Sequence, residues 1–392
     1  MPRPQGIGSV FLCLLVFQLN HFGIAAFAAS TPTTNRPAAS LNSAEAYRLE
    51  VRYLSRKLGE IDLKGPPIIT DGWNTNIAEA EWPFLACVYF GHACLNLAVA
   101  EPSLRPELLP ETRWVLHALQ QPRLSGFVKA HFSEPFPKSN TTTLPPITKS
   151  AVFVHGHFLY LAMRYQNISD DQRFAPVIHQ VATALARDLS ATPHGLLKSY
   201  SDMWWLTDNF AAYAGLTLYD RTYGTHLSAV KDKFITTIRT HYLDPKTGLF
   251  ATYVDAEQQK ILQGPRGISL MYGLHYLKEF APAFATEQYA LARKNFYRSF
   301  LGMGAMAEAP PGETAREDID SGPVVFGLGP SASGFGIGAA AMMQDHRTVS
   351  ELLHSLSIIG LPTMDSDGLR YQSMPMVGQA VILFGKTAAL KR

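Results

Sequence analysis

Tyr200-Ser-Asp-Met-Trp-Trp-Leu-Thr-Asp-Asn-Phe-Ala-Ala-Tyr-Ala-Gly-Leu-Thr-Leu218 decides how this chain is read. From Trp204 onward its apolar residues fall on every side of a helix. A helix that is apolar all round belongs in an interior, whereas a surface helix keeps a polar face. Three other stretches read the same way: Val152–Leu161, Ile268–Leu277 and Gly334–Met343. Between them come amphipathic, charged stretches: Asp171–Asp188, Lys231–Arg239, Glu287–Arg298 and Arg347–His354. Inner and outer helices alternate at roughly fifty residues per pair, a period that points to helical hairpins stacked in a ring. The predicted helices run from Ser43–Leu58 and Glu81–Val99 through Trp204–Tyr223 and Gly267–Phe280 to Ala285–Leu301, Thr348–Ile358 and Val377–Leu390.

Strand signal is sparse. Asp244-Pro-Lys-Thr-Gly-Leu-Phe250 reads as a turn into a short hairpin at Ala251-Thr-Tyr-Val, and Gly368-Leu-Arg-Tyr-Gln as another short strand. Gly327-Leu-Gly-Pro and Gly334-Phe-Gly-Ile-Gly follow no strand, so close helix packing explains them better than a dinucleotide loop.

The chain opens with one basic residue, an apolar run from Ile7 to Leu19 and Ala26-Phe-Ala28. That is the pattern of a secretory signal peptide, and the run is too short to span a bilayer. We therefore expect residues 1–28 to be a signal peptide cleaved near Ala28, 29–43 a flexible lead-in, and 44–392 one catalytic domain. The mature protein is then secreted or periplasmic, with no membrane span. It keeps Cys87 and Cys94. Two helical turns separate them by ~10 Å, too far for a disulfide, so both read as buried free thiols. Lys and Arg number 34 against 32 Asp and Glu, with no basic run; this speaks against a nucleic-acid partner and leaves a homo-oligomer open.

In a ring of hairpins, the loops entering the inner helices meet at one mouth. Thr70-Asp-Gly-Trp-Asn-Thr-Asn76, His155-Gly-His157, Tyr200–Asn209, Gly264-Pro-Arg-Gly267 and Arg316-Glu-Asp-Ile-Asp-Ser-Gly322 would converge there. Asp202 and Asp208, six apart around Trp204 and Trp205, read as a carboxylate pair with indole walls; the competing reading is a capped helix with core indoles. His157 is a proton donor or a satisfied core histidine. Asp318 and Asp320 are rim carboxylates or a solvated acidic turn. Trp73, Tyr200, Asn209, Tyr272 and Tyr371 complete the candidate substrate contacts. No Cys/His ligand cluster, H-E-x-x-H or G-x-S-x-G stands in the sequence, so we expect no metal and no cofactor.

The ordered set Gly156-His157, Asp208-Asn209, Leu218-Tyr-Asp-Arg-Thr-Tyr-Gly224, Leu243–Phe250, Asp320-Ser-Gly322 and Leu369-Arg-Tyr371 resembles the linalool dehydratase/isomerase family. The resemblance covers roughly Trp82 to Ala380. It implies an exported (α/α)6 barrel, all-α with inner and outer helices alternating and short β-hairpins in the loops. It also implies a cofactor-independent carbon–oxygen lyase or isomerase acting on a terpenoid-like alcohol in an apolar cavity. The two cysteines of that family have no counterpart between Gly195 and Asn209, so thiol chemistry is excluded. Its early-loop acid matches Asp71 or Asp62. On this reading Asp202, Asp208, His157 and Asp71 are catalytic. The alternatives are a glycan-acting hydrolase using the paired Asp residues, and a non-enzymatic protein binding an apolar alcohol or a sugar.

Overall fold

A computed structural model describes residues 44–66, 77–128, 147–199 and 203–390. The expected signal peptide and lead-in, and the candidates Asp71, Trp73, Tyr200 and Asp202, lie outside the described residues.

Twelve helices form two concentric rings. The outer ring is α1 (Ala44–Gly59), α3 (Arg105–Leu119), α5 (Ala175–Ala191), α7 (Lys231–His241), α9 (Pro282–Phe296) and α11 (His346–Ile359). The inner ring is α2 (Ile77–Ala100), α4 (Val152–Gln166), α6 (Leu206–Tyr223), α8 (Gly267–Phe280), α10 (Pro330–Met342) and α12 (Met376–Ala388). Each inner helix packs on the next, and α12 packs back on α2, which closes the ring. The fold is the (α/α)6 toroid that the alternation predicts.

The helices obey simple local rules. Proline in the first turn, where its missing N–H costs nothing, opens α9 at Pro282 and α10 at Pro330. Asp345 caps α11 by accepting a hydrogen bond from the Thr348 amide. The inner helices are apolar all round because both of their sides are covered. Glu79–Ala100 has the length and apolarity to cross a membrane, yet 83% of its most apolar window is buried inside the ring. Where α4 crosses α6, a Cβ on Gly156 would sit 2.8 Å from the Ala212 amide nitrogen, so only glycine permits that approach. On α10 the approach is less close: a Cβ on Gly338 would come 3.3 Å from the Cα of Gly385 on α12, and one on Gly336 3.0 Å from the Met306 side chain.

Seven short strands decorate the loops. β1 (Trp204–Trp205) pairs antiparallel with β2 (Tyr253–Asp255), which pairs with β3 (Lys260–Gln263). β4 (Tyr297–Phe300) pairs with β5 (Met303–Met306), and β6 (Pro362–Asp365) with β7 (Gly368–Tyr371). Two sequence expectations are corrected here. Trp204 and Trp205 are not the first helical residues but a two-residue strand, because β2 offers a partner. Ala285–Leu301 is not helical to its end. Leu301 (φ 49°) and Gly302 (φ 77°) form a two-residue turn with positive φ at both positions, the geometry that closes a tight hairpin. Cys87 and Cys94 are free and buried in α2, and burial pushes the Cys87 thiol up to about 12.

Candidate active site

The N-terminal ends of the inner helices surround a cavity of about 340 Å³. Its ionisable lining groups are Glu81 from α2, Asp208 from α6, Arg266 before α8, Tyr272 on α8 and Asp320 from the loop before α10. Trp82, Phe153, Trp205 and Phe335 are among its aromatic walls.

Asp208 is in the first turn of α6, where the helix dipole favours an anion. Burial outweighs that preference. The carboxyl is raised to about 7, chiefly by desolvation, with the charge of Asp320 pushing the same way and the Ser199 and Tyr272 hydroxyls pulling back. Asp320 is raised to about 6, again by burial, with Arg266 pulling it down. A third carboxyl, Glu308, is almost completely buried and raised to about 7 by desolvation, against the pull of Arg266. Its Oε2 accepts from the Ile268 amide at 3.2 Å, so it caps the start of α8.

Arg266 organises this end of the cavity. Its guanidinium lies 2.9 Å from Glu308 Oε1 and pairs with Asp318. Asp318 Oδ1 in turn accepts from the amides of Asp320, at 3.1 Å, and Ser321, at 2.9 Å. Asp318 therefore curls the loop that carries Asp320 onto the cavity wall. The sequence reading made Asp318 a substrate contact; the structure makes it the anchor of that loop.

Behind the wall, Tyr272 Oη lies 2.5 Å from His157 Nε2 and 3.4 Å from Asp208 Oδ1. His157 Nδ1 is 2.6 Å from the Phe153 carbonyl. A carbonyl only accepts, so Nδ1 carries the proton and Nε2 the lone pair. Tyr272 has one hydroxyl proton to share between His157 Nε2 and Asp208 Oδ1, and given to Asp208 it pulls that carboxyl down. Burial holds His157 down at about 4, so the ring is neutral at physiological pH. His157 has no exposed surface, and it orients Tyr272 rather than lining the cavity.

Three further candidates fall elsewhere. Asn209 is fully buried; it accepts from the Leu197 amide at 2.9 Å and donates to the carbonyls of Leu197 and Trp205. It staples the start of α6 to the preceding segment, which leaves it no hydrogen bond for a ligand. Trp204 lies under the Lys198 ammonium, 4.5 Å from its ring centre, while Trp205 takes the place on the cavity wall. Tyr371 accepts from the buried Lys386 ammonium at 3.1 Å, in a cluster with Glu50 away from the cavity. Glu308 and Arg266 were not singled out from the sequence. The available signal was a lone carboxylate inside the apolar run Met303–Pro310, which asks for a buried partner. Among the described residues, no group of three His, Cys, Asp or Glu side chains converges as metal ligands do.

No protein-family model matches this chain. Solved structures do resemble it. An inactive variant of the α-1,6-mannanase of Salegentibacter sp. HEL1_6, in complex with α-1,6-mannotriose, is 10% identical with a TM-score of 0.54 over 88% of this chain and 99% of its own. An unsaturated glucuronyl hydrolase specific for heparin is 11% identical, with a TM-score of 0.55 over 88% of this chain and 95% of its own. A family 105 glycoside hydrolase of C. acetobutylicum ATCC 824 is 12% identical, with a TM-score of 0.51 over 88% and 99%. At such identities the likeness establishes the fold. The neighbours are glycan-acting hydrolases, together with a polysaccharide lyase. The resemblance to the linalool dehydratase/isomerase family is thereby corrected: these solved structures are glycan-acting hydrolases and a polysaccharide lyase. Several of the motifs behind that resemblance are scaffold positions. Gly156 permits the crossing of α4 and α6, Asn209 is a staple, and Tyr371 belongs to the ring-closing cluster.

Proposed function

We propose that this chain is a glycan-active enzyme, a glycoside hydrolase working by acid/base catalysis at Asp208 and Asp320. One observation carries the reading. A buried carboxyl, Asp208, and a half-buried one, Asp320, share a cavity at one mouth of the toroid, and both are raised toward neutrality. Asp208, which meets the like charge of Asp320, is the acid; Asp320, drawn down by the Arg266 guanidinium, is the base.

Asp208 gives its proton to the glycosidic oxygen as the bond to the anomeric carbon breaks. Asp320 takes a proton from the water that attacks that carbon, or attacks the carbon itself; the separation of the two carboxyls with substrate bound selects between inversion and retention. The aromatic and aliphatic walls exclude water, which keeps the Asp208 proton in place. Tyr272, held by neutral His157, fixes the orientation of the acid. The neighbours of the same fold support the class of substrate without identifying the sugar.

The test is hydrolysis of a panel of oligosaccharides and aryl glycosides by wild type, Asp208→Asn and Asp320→Asn. Loss of turnover in both variants, with neither melting below wild type at pH 5, supports the reading. Wild-type turnover in both, on a substrate the enzyme does cleave, sinks it. We also propose that the chain is exported, from the Ile7–Leu19 run and Ala26-Phe-Ala28. N-terminal sequencing of secreted protein should start near Ala29 or Ser30.

A further inference from the structure

The cavity is not uniform, and its asymmetry says more about the substrate. Its ionisable groups come from the early turns of α2, α6 and α8, from Arg266 just before α8 and from the Asp320 loop. From there it runs outward past α10 and α12 to the outer helix α11, where Leu352, Leu356 and Ile359 form its wall. The cause is legible in α10, Pro330-Ser-Ala-Ser-Gly-Phe-Gly-Ile-Gly-Ala-Ala-Ala-Met342. Its small side chains let the outer ring approach: a Cβ on Gly336 would come 3.4 Å from Leu352 Cδ1 of α11.

This outer arm offers a sugar almost nothing. A sugar hydroxyl taken from water needs a hydrogen-bond partner, or its burial is costly. Two of the arm's serines are already engaged. Ser355 Oγ donates to the Gly304 carbonyl at 2.7 Å. Ser333 Oγ donates to the Gly329 carbonyl at 2.8 Å and accepts from the Met306 amide at 3.0 Å. Apolar surface also continues outward along the chain from the arm's lining residues. Phe326 follows Val325, and Ile358 and Leu361 flank Ile359, with 58%, 38% and 54% of their surface exposed. Phe326 and Leu361 adopt positive φ, at 52° each, a conformation that large apolar residues rarely take.

We propose that the substrate is an amphiphilic glycoside, with its sugar between Asp208 and Asp320 and a long hydrocarbon aglycone in the arm bounded by α10, α11 and α12. This rests on the glycan reading above and narrows it to one substrate class. In the hydrolysis, the aglycone leaves as the alcohol whose oxygen receives the Asp208 proton, and water supplies the hydroxyl at the anomeric carbon.

Methyl, butyl and octyl thioglycosides of mannose, glucose and glucuronate, whose sulfur resists cleavage, are titrated by calorimetry below their micellar concentrations, with n-octanol as a control. Binding should tighten about fourfold per methylene until the arm is full, with a negative heat-capacity change. The octyl glycoside of the preferred sugar should bind at least tenfold tighter than n-octanol. Ala305→Phe, which fills the arm, should flatten the chain-length series; Ile359→Ala, which enlarges it, should move the plateau to longer chains, so the proposal does not hang on one variant folding. Equal binding of methyl and octyl glycosides overturns the proposal while leaving the glycan reading standing. Binding of n-octanol as tight as that of every octyl glycoside overturns both, since the sugar would then contribute nothing.

Discussion

Two carboxylate sites in this molecule, each built on a buried carboxyl, are oppositely balanced. At the ring closure, Glu50 of the first outer helix meets Lys386 of the last inner helix; both are buried, and the Lys386 ammonium also donates to Tyr371 at 3.1 Å. Burial raises Glu50 and the ammonium pulls it back. At the mouth, Asp208 has the like charge of Asp320 as its neighbour, and both effects push its pKa the same way. The first site joins the two ends of the chain by matching charge. The second sets a like charge beside Asp208, with Arg266 acting on Asp320, which costs stability and keeps the Asp208 proton near neutral pH. Burial alone does not distinguish the two sites; the sign of the nearest charge does.

The comparison can be broken most forcefully at the matched site. Lys386→Met leaves Glu50 buried without its cation and should destabilise the fold by about 3–5 kcal/mol. Denaturant unfolding measures it, and the fraction still folded should keep its turnover. Next in size is the unmatched site. Asp208→Asn removes the transferable proton and should lower turnover ~10²-fold or more, read on whichever glycoside the wild type cleaves.

The same substitution should act on stability with the opposite sign. A carboxyl raised in the folded state favours folding fully only below its unfolded pKa, and that contribution is lost as pH rises through the folded value. For Asp208 the loss falls between the ordinary aspartate range and about 7. Asp208→Asn should therefore be more stable than wild type at pH 8, by on the order of 4 kcal/mol, with the gain vanishing near pH 4; parallel melts at the two pH values check it. In the wild type, turnover should rise as Asp320 ionises near pH 6 and fall as Asp208 ionises near pH 7, giving a narrow bell.

Smaller effects sharpen the picture. Tyr272→Phe removes the hydroxyl between His157 and Asp208 and should cost about tenfold in turnover, mostly in kcat. Reductant should change neither melting nor turnover, because Cys87 and Cys94 are free; a shift with dithiothreitol would contradict this.

The sequence made the ring legible to within a few residues at most helix ends, because alternation of all-apolar and amphipathic helices is a local pattern. Gly267–Phe280 emerged with the bounds that the sequence predicts. Errors occurred where a partner strand decided, at Trp204–Trp205 and Tyr297–Phe300. The site was legible in part. Asp208, Asp320, Tyr272 and Trp205 line the cavity as polar or aromatic residues near inner-helix starts. Asn209, Trp204 and Tyr371 carry the same local signature and serve the scaffold instead.

What the sequence determined by itself was periodicity: which helices are covered on every side and which face water, hence a toroid with its entry loops at one mouth. Only the tertiary structure decided which buried charge meets its opposite and which meets its like. It paired Glu50 with Lys386 across 336 positions of chain, brought Asp320 beside Asp208, and drew Glu308 onto Arg266. Helix formation responds to neighbours within a few residues. Charge matching and desolvation depend on distance in space, which the order of residues does not carry until the ring has closed.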